Sequence, residues 1–157
     1  MDTERHIDEI YRQQLRQDAL YHRFAASCGL SDTAMWLLYT LWAEPEGCTQ
    51  QQLCRRCSFP KQTVGSAVTA LSRSGTVALH PLPGTHGGKR VALTDEGRQL
   101  AERTAARLRQ AELAAYRQLD DGALAAYAAA TARIADLLEK EIGAVCADRG
   151  KETGEKR

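Results

Sequence analysis

The chain has 157 residues, 43% hydrophobic and 26% charged, with 21 Lys and Arg against 20 Asp and Glu for a net charge of +1. That composition supports one packed domain with helical extensions and excludes a wholly disordered, collagen-like, mucin-like or prion-like chain. No apolar run approaches the roughly 18 to 20 residues of a bilayer span, and the first six residues hold no signal-peptide core. Five cysteines, at 28, 48, 54, 57 and 146, are an odd number for a disulfide framework. The expectation is a soluble cytoplasmic protein with reduced thiols, no membrane association and no cofactor.

In chain order, residues 5–27 read as a helix in which Ile7, Ile10, Tyr11, Leu15, Leu20, Tyr21 and Phe24 form an irregular apolar stripe, with Gly29 just past the end. Ser31 offers an N-cap for a core helix over 31–43, apolar on most sides, which Pro45 stops. Thr49 and Gln52 fit a capping box that opens a helix of about two turns, with Leu53 and Cys54 inward. After the break at Ser58, Phe59 and Pro60, a helix over 61–74 separates two faces. Val64, Val68 and Leu71 recur at i, i+4, i+7, while Gln62, Ser66, Thr69 and Arg73 form a polar stripe, and Gly75 closes the helix.

Residues 76–80 and 89–93 read as strands joined by a Pro- and Gly-rich tip over 81–88, a β-hairpin. Thr94 caps the next helix, whose first turn holds Asp95 and Glu96, and the pattern carries it to about Leu119. Asp120, Asp121 and Gly122 turn the chain into a last, alanine-rich helix over 123–142. A charged tail from 148 has no apolar residue to bury, and fraying is expected there.

Charge is distributed unevenly. The 48 residues between Glu46 and Asp95 contain no Asp or Glu but carry Arg55, Arg56, Lys61, Arg73, Lys89 and Arg90, a local charge of +6, against −4 before the block and −1 after it. A carboxylate-free cationic block does not repel phosphate, which makes nucleic acid a candidate partner.

Two short helices, the second apolar on one face and polar on the other, followed by a hairpin with a basic return strand, make a winged helix-turn-helix pattern. The polar face suits a major groove: Gln62, Thr63, Ser66 and Thr69 can donate and accept at base edges, and Lys61, Arg73, Lys89 and Arg90 can meet phosphate or guanine. The fold class expected is mainly α with a small β-wing. On this pattern the chain divides into an N-terminal dimerisation helix (1–30), the winged helix-turn-helix domain (31–97), C-terminal dimerisation helices (98–145) and a flexible tail (146–157).

The run from Gln62, Thr63 and Val64 to Ala70 and Leu71, then Gly75 and a hairpin ending in Leu93, Thr94 and Gly97, resembles the MarR family of bacterial regulators over roughly residues 5–142. The resemblance implies a cytoplasmic homodimer held by its terminal helices. It implies a repressor of transcription on a pseudo-palindromic DNA operator, and DNA affinity that responds to a small-molecule effector. The family's Asp-x-Arg at the wing is replaced by Thr85, His86 and Gly87.

Other constellations stand beside this one. Tyr11, His22, Trp36 and Tyr39, with Trp42 and Arg16 nearby, are candidates for a ligand pocket, although so apolar a helix is also ordinary core. Cys28, Cys54 and Cys57 are candidate redox thiols, with packed thiols as the bland reading. Cys48, Cys54, Cys57 and His80 lack zinc-finger spacing, so no metal site is expected. No Walker loop, paired carboxylates or nucleophile motif points to an enzyme. The alternatives are a winged-helix module that binds protein instead of DNA, and a thiol-based sensor or enzyme.

Overall fold

The computed structural model describes the backbone of residues 2–84 and 87–154, with side chains described as far as 147. Helix α1 (Thr3–Ser27) starts where the Asp2 carboxylate accepts from the Arg5 amide at 3.2 Å. Helix α2 (Asp32–Trp42) starts at Ser31, whose hydroxyl accepts from the Ala34 amide at 3.2 Å. Strand β1 (Cys48–Thr49) leads into α3 (Gln50–Cys57) through the reciprocal capping box. The Gln52 amide donates to Thr49 Oγ1 at 3.1 Å and the Thr49 amide donates to Gln52 Oε1 at 2.8 Å. Ser58, at φ +53°, turns the chain into α4 (Lys61–Arg73).

Strands β2 (Val77–Pro81) and β3 (Lys89–Leu93) follow, and the antiparallel sheet runs β1-β3-β2. Helices α5 (Asp95–Arg103), α6 (Ala105–Tyr116) and α7 (Asp121–Gly154) complete the chain. Two compact units divide it, one ending at Ala111 and the other starting at Glu112.

In the first unit, one core gathers Leu37, Leu38 and Leu41 of α2, Leu53 of α3, Val64, Val68 and Leu71 of α4, and Val77, Val91 and Leu93 of the sheet. A smaller cluster joins Ala25, Met35 and Leu108. Each of these leucines and valines supplies about 1.5 to 3 kcal/mol by leaving water, so the core is what presses α4 onto the sheet. In the second unit, Tyr127, Ile134, Leu138, Ile142 and Val145 of α7 are exposed.

Three elements differ from the sequence pattern. The helix expected from 95 to about 119 is divided at Thr104 (φ −122°, ψ −79°), whose hydroxyl donates to the Leu100 carbonyl at 2.7 Å. Such back-bonding bends helices, and a lone Thr inside an apolar pattern does not announce it. Strand β1 is two residues long, too short for alternation to show, and exists because Cys48 and Thr49 pair with Val91 and Arg90. Helix α7 runs past Ile142 to Gly154, into the segment expected to fray. Ala144, Ala147, Lys151 and Glu152 are good helix formers, no proline intervenes, and a backbone helix propagates without an apolar stripe.

A single junction joins α4, β2 and α5. Gly75, at φ +74°, follows the C-cap of α4, and the Thr76 amide returns to the Leu71 carbonyl at 2.9 Å. Thr94 then donates its hydroxyl to the Gly75 carbonyl at 2.6 Å, donates its amide to the Thr76 carbonyl at 3.1 Å, and accepts from the Gly97 amide at 3.0 Å as the N-cap of α5. Position 97 has no room for a side chain, since a Cβ there would lie 1.9 Å from the Thr76 carbonyl oxygen. A Gly97→Ala substitution therefore forces backbone apart and should cost about 3 kcal/mol. Thr94→Ala should cost about 1 to 2 kcal/mol through the lost cap. Urea unfolding of the two variants beside the parent checks both.

Candidate nucleic-acid interface

Helix α4 holds the residues expected to read DNA. With Val64, Val68 and Leu71 buried, 100° per residue places Gln62, Ser66, Thr69 and Arg73 on the opposite side, and all four are exposed. Lys61 and Thr63 are exposed on the first turn. Because Gly65 and Ala70 are small, the outward side is not a smooth ridge. Gln62, Gly65, Ser66, Thr69, Ala70 and Arg73 line an open groove of about 470 Å³. Thr69 donates its hydroxyl to the Gly65 carbonyl at 2.9 Å, so it offers a partner a methyl group and an acceptor.

The six cations of the acid-free block divide into two groups. Arg56 is ion-paired and hydrogen-bonded with Glu44, a carboxylate just outside the block, and the pair holds the guanidinium above its usual pKa. Arg90, half-buried on β3, donates from Nη1 to the Glu46 carbonyl at 3.1 Å. Arg55, Lys61, Arg73 and Lys89 are exposed and have no ion-pair partner among the described residues. Only Arg56 is neutralised by an ion pair, while Arg90 keeps its charge and has part of its guanidinium engaged by a backbone carbonyl. Thr85 and His86, expected at the wing tip, lie outside the described residues.

The expected ligand-pocket residues are only partly brought together. Trp36 lies between Tyr21 and Tyr39, tilted against the first and edge-on to the second, with ring centroids 5.1 and 5.6 Å apart. Arg109 Nη1 donates to the Tyr39 hydroxyl at 3.3 Å. Tyr21 and Arg109 were not legible as members, and for Arg109, 70 residues from Tyr39, no local signal exists. Tyr11 is exposed, and ten residues before Tyr21 on the same helix it stands about 15 Å away along the axis. His22 Nδ1 lies 3.0 Å from the Asp32 carboxylate, an exposed link between α1 and the first turn of α2.

The cysteines are unbonded to one another. Cys28 packs on the smaller cluster, Cys54 and Cys57 pack on the main core, and Cys57 Sγ lies 3.3 Å from Thr40 Oγ1. No group of three or more His, Cys, Asp or Glu among the described residues could hold a metal ion. No helix among them is long and apolar enough to cross a membrane.

A helix-turn-helix of α3 and α4 backed by a three-stranded wing sheet defines a winged-helix fold. Residues 29–86 match the model of the MarR family. Solved structures agree on the fold across most of the chain. A MarR family regulator from Neisseria meningitidis superposes with a TM-score of 0.77 at 20% identity, covering 88% of this chain and 96% of that one. The PcaV transcriptional regulator from Streptomyces coelicolor, solved with its natural ligand, gives 0.67 at 23% identity, covering 87% and 96%. A MarR family regulator from Listeria monocytogenes, solved with a 26mer DNA, gives 0.70 at 14% identity, covering 86% and 89%. Among curated proteins, none matches the sequence.

The thiols should differ sharply in reactivity. Cys48 is 2% exposed and burial pushes its thiol pKa up, which disfavours the nucleophilic thiolate, while Cys146 is exposed on α7. In the native protein near pH 8, iodoacetamide should modify Cys146 at least tenfold faster than Cys48, as read by peptide mass spectrometry over time.

Proposed function

We propose that the chain is a homodimeric, sequence-specific regulator of transcription, a cytoplasmic repressor that acts by binding duplex DNA and not by catalysis. The observation that carries this reading is the outward side of α4. Gln62, Ser66, Thr69 and Arg73 are exposed opposite a fully apolar buried face, on a segment where the neighbouring cations outnumber the carboxylates. Thr63 and Lys61 extend the surface at the helix start, and Lys89 extends it from the wing.

Dimerisation is supported by apolar side chains left in water. Ile7, Ile10 and Tyr11 on α1, and Ile134, Leu138 and Ile142 on α7, are each more than two-fifths exposed, and a second copy would cover both sets about a two-fold axis. Two recognition helices would then meet half-sites about one helical turn apart on a pseudo-palindromic operator. The Tyr21, Trp36 and Tyr39 rings with Arg109 beside them offer an aromatic, cationic place for a small effector whose binding changes DNA affinity.

The test is a footprint on the DNA upstream of the protein's own gene, with mobility shifts across a salt series. Gln62→Ala and Arg73→Ala should each weaken binding by roughly tenfold, and only Gln62→Ala should relax base preference. Four unpaired cations per protomer meeting about eight phosphates per dimer predict a slope of log K against log salt near −7. Binding unchanged in both variants would displace α4 as the recognition helix. Leu138→Glu with Ile142→Glu should yield a monomer by light scattering and a loss of tight binding.

A further inference from the structure

The geometry points to Arg90 as a positioning residue that fastens the wing to the turn ahead of β1, leaving Lys89 as the phosphate contact of that strand. The inference rests on the DNA-binding reading above.

Two observations carry it. The first is the face each residue takes. Side chains alternate along a strand, so Lys89 shares the face of Val91 and Leu93, which pack in one core with Val64, Val68 and Leu71 of α4. Lys89 is thus the outermost, exposed residue on the helix side of the sheet, the side on which the polar stripe of α4 is built. Arg90 falls on the opposite face, level with Thr49 on β1 and His80 on β2.

The second is what Arg90 does there. Its guanidinium reaches across to the Glu46 carbonyl at 3.1 Å, in the turn between α2 and β1. That turn is held tightly. The Gly47 amide donates to the Glu44 carbonyl at 2.8 Å, and Gly47, at φ +75°, passes so close to β3 that a Cβ would lie 2.3 Å from the Val91 carbonyl oxygen. Arg56 of α3 grips the same turn from its other end through Glu44. Strand β1 has only two residues, so its own pairing with β3 is slight, and the Arg90 bond is the side-chain tie that keeps β3 registered against the turn. A fixed β3 holds Lys89 at a constant distance from Arg73 and Lys61. Both arginines serve a backbone turn that the helix-turn-helix and the wing share.

The experiment is a double-mutant cycle on the full chain, with Lys89→Ala, Arg90→Ala and the double variant. Melting temperature is read for each, and affinity for a random 30-base-pair duplex is measured from 50 to 300 mM salt. Lys89→Ala should leave melting unchanged and reduce the magnitude of the salt slope by about 2, one phosphate per protomer. Arg90→Ala should lower the melting temperature and, far below it, weaken binding by roughly fivefold. That loss should vanish when Lys89 is already alanine, because Arg90 acts through its neighbour. A further fall in slope of about 2 on adding Arg90→Ala to Lys89→Ala would make Arg90 a phosphate contact and overturn the inference. Unchanged melting in Arg90→Ala would also overturn it. Failure of the parent chain to bind any duplex would instead refute the DNA-binding reading, and the melting comparison would still decide whether Arg90 ties the wing.

Discussion

The placement of α4 depends on the Thr94 junction. Its hydroxyl and amide take the carbonyls of Gly75 and Thr76, and the same hydroxyl caps α5 by accepting from Gly97. One side chain therefore sets where α4 ends, where the wing begins and where the next helix starts. Gly97 is required beside it because the Thr76 carbonyl occupies the space of a Cβ. Hydrogen bonds to buried backbone carbonyls are costly to leave unmade, so the junction locks three elements and not one. The Leu93, Thr94, Gly97 pattern is thus a mechanical requirement of the winged helix.

The core and the junction divide the work. Burial of Val64, Val68 and Leu71 against the sheet fixes which side of α4 faces inward, and hence which side faces out. The junction fixes how far α4 slides along its axis. On the proposed DNA-binding reading, a polar stripe at an undefined height would read nothing, since base-edge hydrogen bonds demand registry to within about an ångström.

The electrostatics of the folded chain is less generous than charge counting suggested. The +6 block is carboxylate-free in sequence, but Glu44, two residues before its edge, folds back onto Arg56, and the Glu46 carbonyl occupies Arg90. Composition counts charges along the chain, whereas the fold decides which are cancelled, as Arg56 is by Glu44, which are tethered, as Arg90 is, and which are exposed without an ion-pair partner. Among the described residues, Arg55, Lys61, Arg73 and Lys89 meet the last condition.

Much was legible in the chain because its signals are local. Ser31, Thr49 with Gln52, Gly75 and Thr94 act on amides and carbonyls a few residues away, and the two faces of α4 follow from a period of 3.6. The two-residue β1, the break at Thr104, the separation of Tyr11 from Trp36 and the joining of Arg109 to Tyr39 were decided only by tertiary structure. Each depends on partners far apart in sequence, or on a choice between two hydrogen bonds open to the same hydroxyl. Local propensity cannot weigh such choices, because the free energy that settles them comes from the packing of the whole core.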